Sequence, residues 1–66
     1  MNVPLYLNNG ARVLSYAQAV CGRFYVAAEW HDEYVTWAID EEGNAFWGHY
    51  FDEPGDAFND LQKRAG

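Results

Sequence analysis

Apolar residues alternate with polar or small ones across three stretches of the chain, Arg23 to Trp30, Glu33 to Asp40 and Asn44 to Phe51. Each stretch is rich in aromatic and β-branched residues, and period-two patterning of this kind predicts a β-strand. Between the second and third lies Asp40-Glu41-Glu42-Gly43-Asn44. Gly43 there supplies the positive φ of a type I turn plus bulge. If Asp40 faces Asn44, Trp37 pairs with Trp47 and Val35 with His49. A two-residue turn at His31-Asp32, a poor pair for a tight turn, would set Val26 opposite Trp37 and Phe24 opposite Ile39.

The two registers are independent and agree. One face collects Phe24, Val26, Ala28, Trp30, Val35, Trp37, Ile39, Ala45, Trp47, His49 and Phe51, which reads as a core face. The other collects Tyr25, Ala27, Glu29, Tyr34, Thr36, Ala38, Phe46, Gly48 and Tyr50. Downstream, Asp52 is placed to cap a helix with Pro54 in its first turn, where a missing N–H costs nothing. Ala57, Phe58, Leu61 and Ala65 give that helix an apolar stripe, and Lys63-Arg64 suit the negative end of its dipole. The stripe is expected to pack on the core face.

Upstream, Asn8-Asn9-Gly10 signals a turn or cap. Ala11 to Cys21 fits two patterns. Alanine content, an Asn9 cap and Gly22 as a stop favour a helix with Val13, Leu14, Ala17 and Cys21 on one side. Strand alternation of Leu14, Tyr16, Gln18 and Val20 also fits. Helix is preferred, so the expected fold is α+β with element order αβββα. It is a three-stranded antiparallel meander with a C-terminal helix on one face and an N-terminal helix, in one domain over 1–66.

Composition bounds the rest. A chain of 66 residues has a small core, burying only about 60% of the surface its unfolded form exposes. Cys21 is the only cysteine, so stability must come from three Trp, five Tyr and four Phe or from self-association. A single thiol also suits a reducing compartment. The opening Met1-Asn2-Val3-Pro4-Leu5-Tyr6-Leu7 has no basic lead, and no apolar run is long enough for a bilayer. The expected location is therefore cytoplasmic, in a host cell.

The net charge of −6 disfavours nucleic acid or an anionic membrane as a direct ligand. Residues 1–28 contain no acid, whereas all ten acids fall within residues 29–60, which hold no Lys or Arg. In a meander, the turn after the first strand and the exit from the third share one end of the sheet. Glu29, Asp32 and Glu33 should therefore approach Asp52, Glu53 and Asp56. The plain reading of such a surface is solubility. The sharper one is docking on a basic groove in place of phosphates, steered by long-range attraction.

The second sheet face, small in its middle and ringed by Tyr25, Tyr34, Phe46 and Tyr50, also has two readings. It is the seat of the N-terminal helix, or it is an open surface for a partner or a second copy. Catalytic chemistry finds little purchase: no metal cluster of recognised spacing, no phosphate loop, and carboxylates with no pocket to shift their pKa values. The stretches at 40–44 and 52–56 lack the alternating ligands of a calcium loop and read as turns. Cys21 reads as a buried helix-end thiol and His49 as a packing residue. No catalytic residue, metal or cofactor is assigned.

The segment from Tyr34 to Phe51, with its Asp40-Glu41-Glu42-Gly43-Asn44 turn, and the following helix with Ala57, Asp60 and Arg64 resemble small acidic accessory proteins of phages and plasmids. That resemblance covers about half the chain and implies a context: inhibitors of host defence, including anti-CRISPR proteins and other DNA mimics. The expectation is a non-enzymatic inhibitor that binds a nucleic-acid-handling protein through Glu29, Asp32, Glu33, Asp52, Glu53 and Asp56, anchored by Tyr34 or Tyr50. The alternative is a homodimer formed through Tyr25, Tyr34, Phe46 and Tyr50.

Overall fold

In the computed structural model, which describes residues 3–66, four strands form one antiparallel sheet in the order β1-β2-β3-β4. They are β1 Arg12–Gln18, β2 Phe24–Trp30, β3 Glu33–Ile39 and β4 Ala45–Phe51, followed by the helix α1 Pro54–Ala65. Met1 and Asn2, the start of the segment read as lacking a leader, lie outside the described residues. No described helix is long and apolar enough to cross a membrane.

The N-terminal helix of the αβββα reading is corrected: residues 12–18 are a strand, and the meander has four strands. Tertiary context overrides the alanine-rich composition. β2 is buried on both faces, with Val26, Ala27 and Ala28 all fully buried, so its second edge needs a partner. β1 supplies it, pairing Tyr16 with Val26 and Gln18 with Phe24. Gly22 is accordingly not a helix stop. It takes φ +94 in a hairpin loop where Ala19 N–H donates to Arg23 and Gly22 N–H to Ala19. The thiol of Cys21 is exposed in that loop rather than buried.

The same bonding pattern recurs at Leu7 to Ala11 and at Asp40 to Asn44, with Gly10 and Gly43 in the left-handed position. The first of these folds residues 5–7 back onto the start of β1, where Val13 N–H donates to Leu5 and Tyr6 bridges Arg12. Leu7 and Ala11 then cover the Val26, Val35 and Trp37 face, and Trp30 Nε1 donates to the Asn9 carbonyl. The expected core face therefore has an N-terminal loop as its lid.

The helix takes the other face. Ala57 and Leu61 pack on Ala27, with Ala17, Tyr25, Tyr34 and Phe51 around them. This corrects the expected seat of the stripe: small Ala27, Thr36 and Ala38 let the helix approach closely, and the opposite face is already covered. Phe58 remains partly exposed. The N-cap is Glu53 rather than Asp52 and makes no side-chain cap bond, while Pro54 opens the first turn as expected.

β2 and β3 pair as expected, Phe24 with Ile39 and Val26 with Trp37. Their two-residue turn holds His31 at φ 49 and Asp32 at φ 65, a left-handed pair that strains non-glycine residues. Replacing Asp32 by Gly should relieve about 0.5–1 kcal/mol and raise the melting temperature by roughly 4 °C. A circular dichroism melt checks this, and a lowered midpoint would contradict the turn geometry.

The β3–β4 register starts as expected and then slips. Ile39 pairs with Ala45 and Ala38 with Phe46, but Thr36 pairs with His49 and Val35 with Tyr50. A bulge at Trp47 and Gly48, with Trp47 at φ 57, exchanges the faces of everything beyond it. Tyr50 meets Trp37 edge-on at 6.4 Å, whereas His49 and Phe51 turn toward the helix.

Candidate functional site

The pairings of Trp30 with Glu33 and of Tyr34 with Phe51 put the β2–β3 turn and the exit of β4 at one end of the sheet. Asp32, Glu33, Asp52, Glu53 and Asp56 are all exposed there. Two local facts place them. The tight turn projects Asp32 beyond the strands while Glu33 opens β3 opposite Trp30, and the short link from Phe51 to Pro54 brings Asp52 and Glu53 to the N-terminus of α1. Asp56 in the first helical turn favours the helix dipole. That contribution is structural and requires no ligand.

None of these carboxylates is neutralised by a described side chain. Glu29 is: Arg12 Nη2 lies 2.9 Å from its Oε1. Arg23 is stacked on Phe46 and Trp47, with its guanidinium carbon 5.3 and 4.8 Å from the ring centroids. Arg64 donates to the Thr36 carbonyl and hydroxyl at 3.1 and 3.2 Å and covers the Tyr25 ring. Lys63 stands in the last turn of α1, about 14 Å of helix from its start. The acidic end thus carries five unpaired carboxylates, with the Arg12–Glu29 pair at its margin beside Asp32. Among the described residues, no three His, Cys, Asp or Glu converge closely enough to hold a metal ion.

The expected aromatic anchors do not share this surface. Tyr34 is half-buried against the helix, while Tyr50 lies on the opposite face beside Trp37 and is half-exposed. The Tyr-rich face is not open, because α1 lies over Tyr25 and Tyr34. Phe46 sits at its margin beneath Arg23.

Sequence reasoning missed a polar cluster between helix and sheet. Thr36, fully buried, donates its hydroxyl to Asp60 Oδ2 at 2.5 Å, and His49 Nδ1 lies 2.9 Å from the same oxygen. Burial pushes the Asp60 carboxyl upward. The bonds from Thr36 and His49, with the charges of His49 and Arg64, outweigh it and hold Asp60 below the usual carboxylate range. His49 is therefore a helix-side partner of Asp60, not a core-face packing residue. Asp60 and Arg64, four residues apart on α1, were visible as a helical pair, but their common target, Thr36, required the correct helix seat.

At the opposite end, Asp40 is committed to its own turn. Its Oδ1 accepts from the backbone N–H groups of Glu42 and Asn44, both at 2.9 Å. The Asn44 N–H foremost holds this carboxyl below its ordinary range.

Comparison with protein families, with curated proteins and with solved structures gives no match.

Proposed function

We propose that this chain is a non-enzymatic inhibitor, of the kind carried by mobile elements, that docks its acidic end in the basic groove of a nucleic-acid-handling defence protein. One observation carries the reading: Asp32, Glu33, Asp52, Glu53 and Asp56 stand exposed at a single end with no ion pair, Arg12 beside them is taken up by Glu29, and Arg23 and Arg64 are committed elsewhere. Like charges left unscreened reduce stability. A basic partner turns that cost into attraction and faster encounter.

The test is capture from bacterial lysate on the immobilised chain. Bound nucleic-acid-handling proteins should elute as salt rises and be displaced by excess duplex DNA. The triple reversal Asp52→Lys, Glu53→Lys, Asp56→Lys should abolish capture with the melting curve preserved. A control reversing Glu41 and Glu42, at the other end, should retain most of it. Capture that survives the triple reversal, or that DNA cannot displace, removes the reading.

A further inference from the structure

We propose that the groove beside Arg23 is a second docking site, for an extended and mainly apolar segment of a partner protein that presents one acidic and one basic side chain. The groove is an open depression of about 550 Å³ between the β1–β2 loop and the β3–β4 turn, a volume suited to a few side chains. Its apolar lining is Phe24, Ile39 and Phe46, and Arg23, Asp40 and Glu41 are the charged residues that line it. This site is independent of the acidic end, from which the length of the strands separates it.

Arg23 specifies the acidic contact. Its guanidinium is held against two rings, and among the described residues it makes no ion pair or hydrogen bond. Asp40 and Glu41 line the same groove without reaching ion-pair distance of it. A planar cation already fixed by stacking loses little further freedom when it engages a carboxylate through two parallel bonds. The acidic rim specifies the basic contact and works against a free anion such as phosphate. Charge complementarity therefore favours a segment bearing both signs.

Trp47 supplies the third element. It is 62% exposed and held at φ 57 by the bulge. A left-handed non-glycine residue is costly, and exposing an indole forgoes its burial. Despite both costs the ring stands on the surface beside Arg23, 4.8 Å from its guanidinium carbon. Trp and Arg together are the side chains most enriched where binding energy concentrates. Val20, fully exposed next to Cys21, extends the apolar surface at the same end.

The experiment selects capped random heptapeptides, displayed on phage, against the intact chain. Enriched peptides should combine apolar residues with one acid and one base, and a synthetic copy should shift Trp47 emission. Arg23→Gln should weaken binding roughly tenfold, as should changing the peptide's acid to its amide. A bulky maleimide on Cys21, which lines the groove, should block binding without any substitution, which covers the case of a poorly folded Arg23→Gln. No enrichment overturns the proposal. So do selected peptides that lack a carboxylate or bind the Cys21 adduct undiminished, and peptides lost only on reversal of Asp52, Glu53 and Asp56.

Discussion

Gly48→Ala should be among the most damaging small substitutions in the chain, although glycine here has no positive φ to protect. A β-carbon at this position would stand 2.7 Å from Trp37 Nε1, 3.0 Å from its Cδ1 and 3.2 Å from Tyr50 Cε1. The indole cannot step aside easily. Trp37 is 4% exposed, and Trp30 packs edge-on at 5.4 Å on one side while Tyr50 does so at 6.4 Å on another. Overpacking of this kind costs about 1–3 kcal/mol, against a total on the order of 3–10 kcal/mol for a domain of this size. The expected result is a melting temperature lower by roughly 10 °C for Ala and loss of the cooperative transition for Val. Gly55→Ala is the control, because nothing lies within 4 Å of its would-be β-carbon; it should be neutral or mildly stabilising. Urea melts with near-ultraviolet circular dichroism on the tryptophans decide the matter. A Gly48→Ala protein as stable as the parent would mean the indole does not lie over Gly48.

That contact also explains which parts of the fold were legible. Where pairing follows unbroken alternation, as between β2 and β3, the pattern sets the register and the structure agrees. At Trp47-Gly48 the alternation continues in the sequence but the backbone does not follow it, since an aromatic ring fills the space above one residue. A bulge changes the face of every later side chain, and His49, Tyr50 and Phe51 were all assigned to the wrong side for that single reason. Trp followed by Gly inside a strand was the available clue. The N-terminal error has a different origin. Local composition favoured a helix at Ala11 to Cys21, and only the need of β2 for a neighbour reverses it. Gly10, Gly22 and Gly43 each stand fourth in a five-residue hairpin loop, so the loop recognised at 40–44 could have been recognised at 19–23 too, and the turn or cap signal at 8–10 read as the same loop.

The acidic end was legible because it depends on topology alone. Any meander joins the β2–β3 turn to the exit of β4, whatever lies on its faces. The anchors Tyr34 and Tyr50 depend on faces, and the bulge separates them. Arg23 on Phe46 and Trp47 was out of reach, because their meeting requires β1, the bulge and the turn loops together.

Asp60→Asn should remove much of what fastens the helix to the sheet, and the loss should depend on pH. In the parent, Arg64 donates to Thr36, Thr36 to Asp60, and His49 faces the same Asp60 oxygen. The Asp60 side chain is 18% exposed, so solvent screens this cluster only in part. A hydrogen bond to a charged group contributes about 1.5–3 kcal/mol, and the variant should melt roughly 10 °C lower at neutral pH. The direction with pH follows from the lowered Asp60 pKa. The unfolded chain takes up this proton at about pH 4, before the folded one does. The stabilisation is therefore complete above that value and disappears as pH falls through the native one. The gap between parent and variant should narrow steadily below about pH 4. Thr36→Val, which keeps the shape but deletes the hydroxyl, should lower stability by a similar amount. Combined with Asp60→Asn it should cost less than the two losses added, since both break one chain of bonds. Equal spacing of the two melting curves from pH 7 to pH 2, or strict additivity of the pair, would mean that Asp60 stabilises the helix in some way other than through its charge on Thr36 and His49.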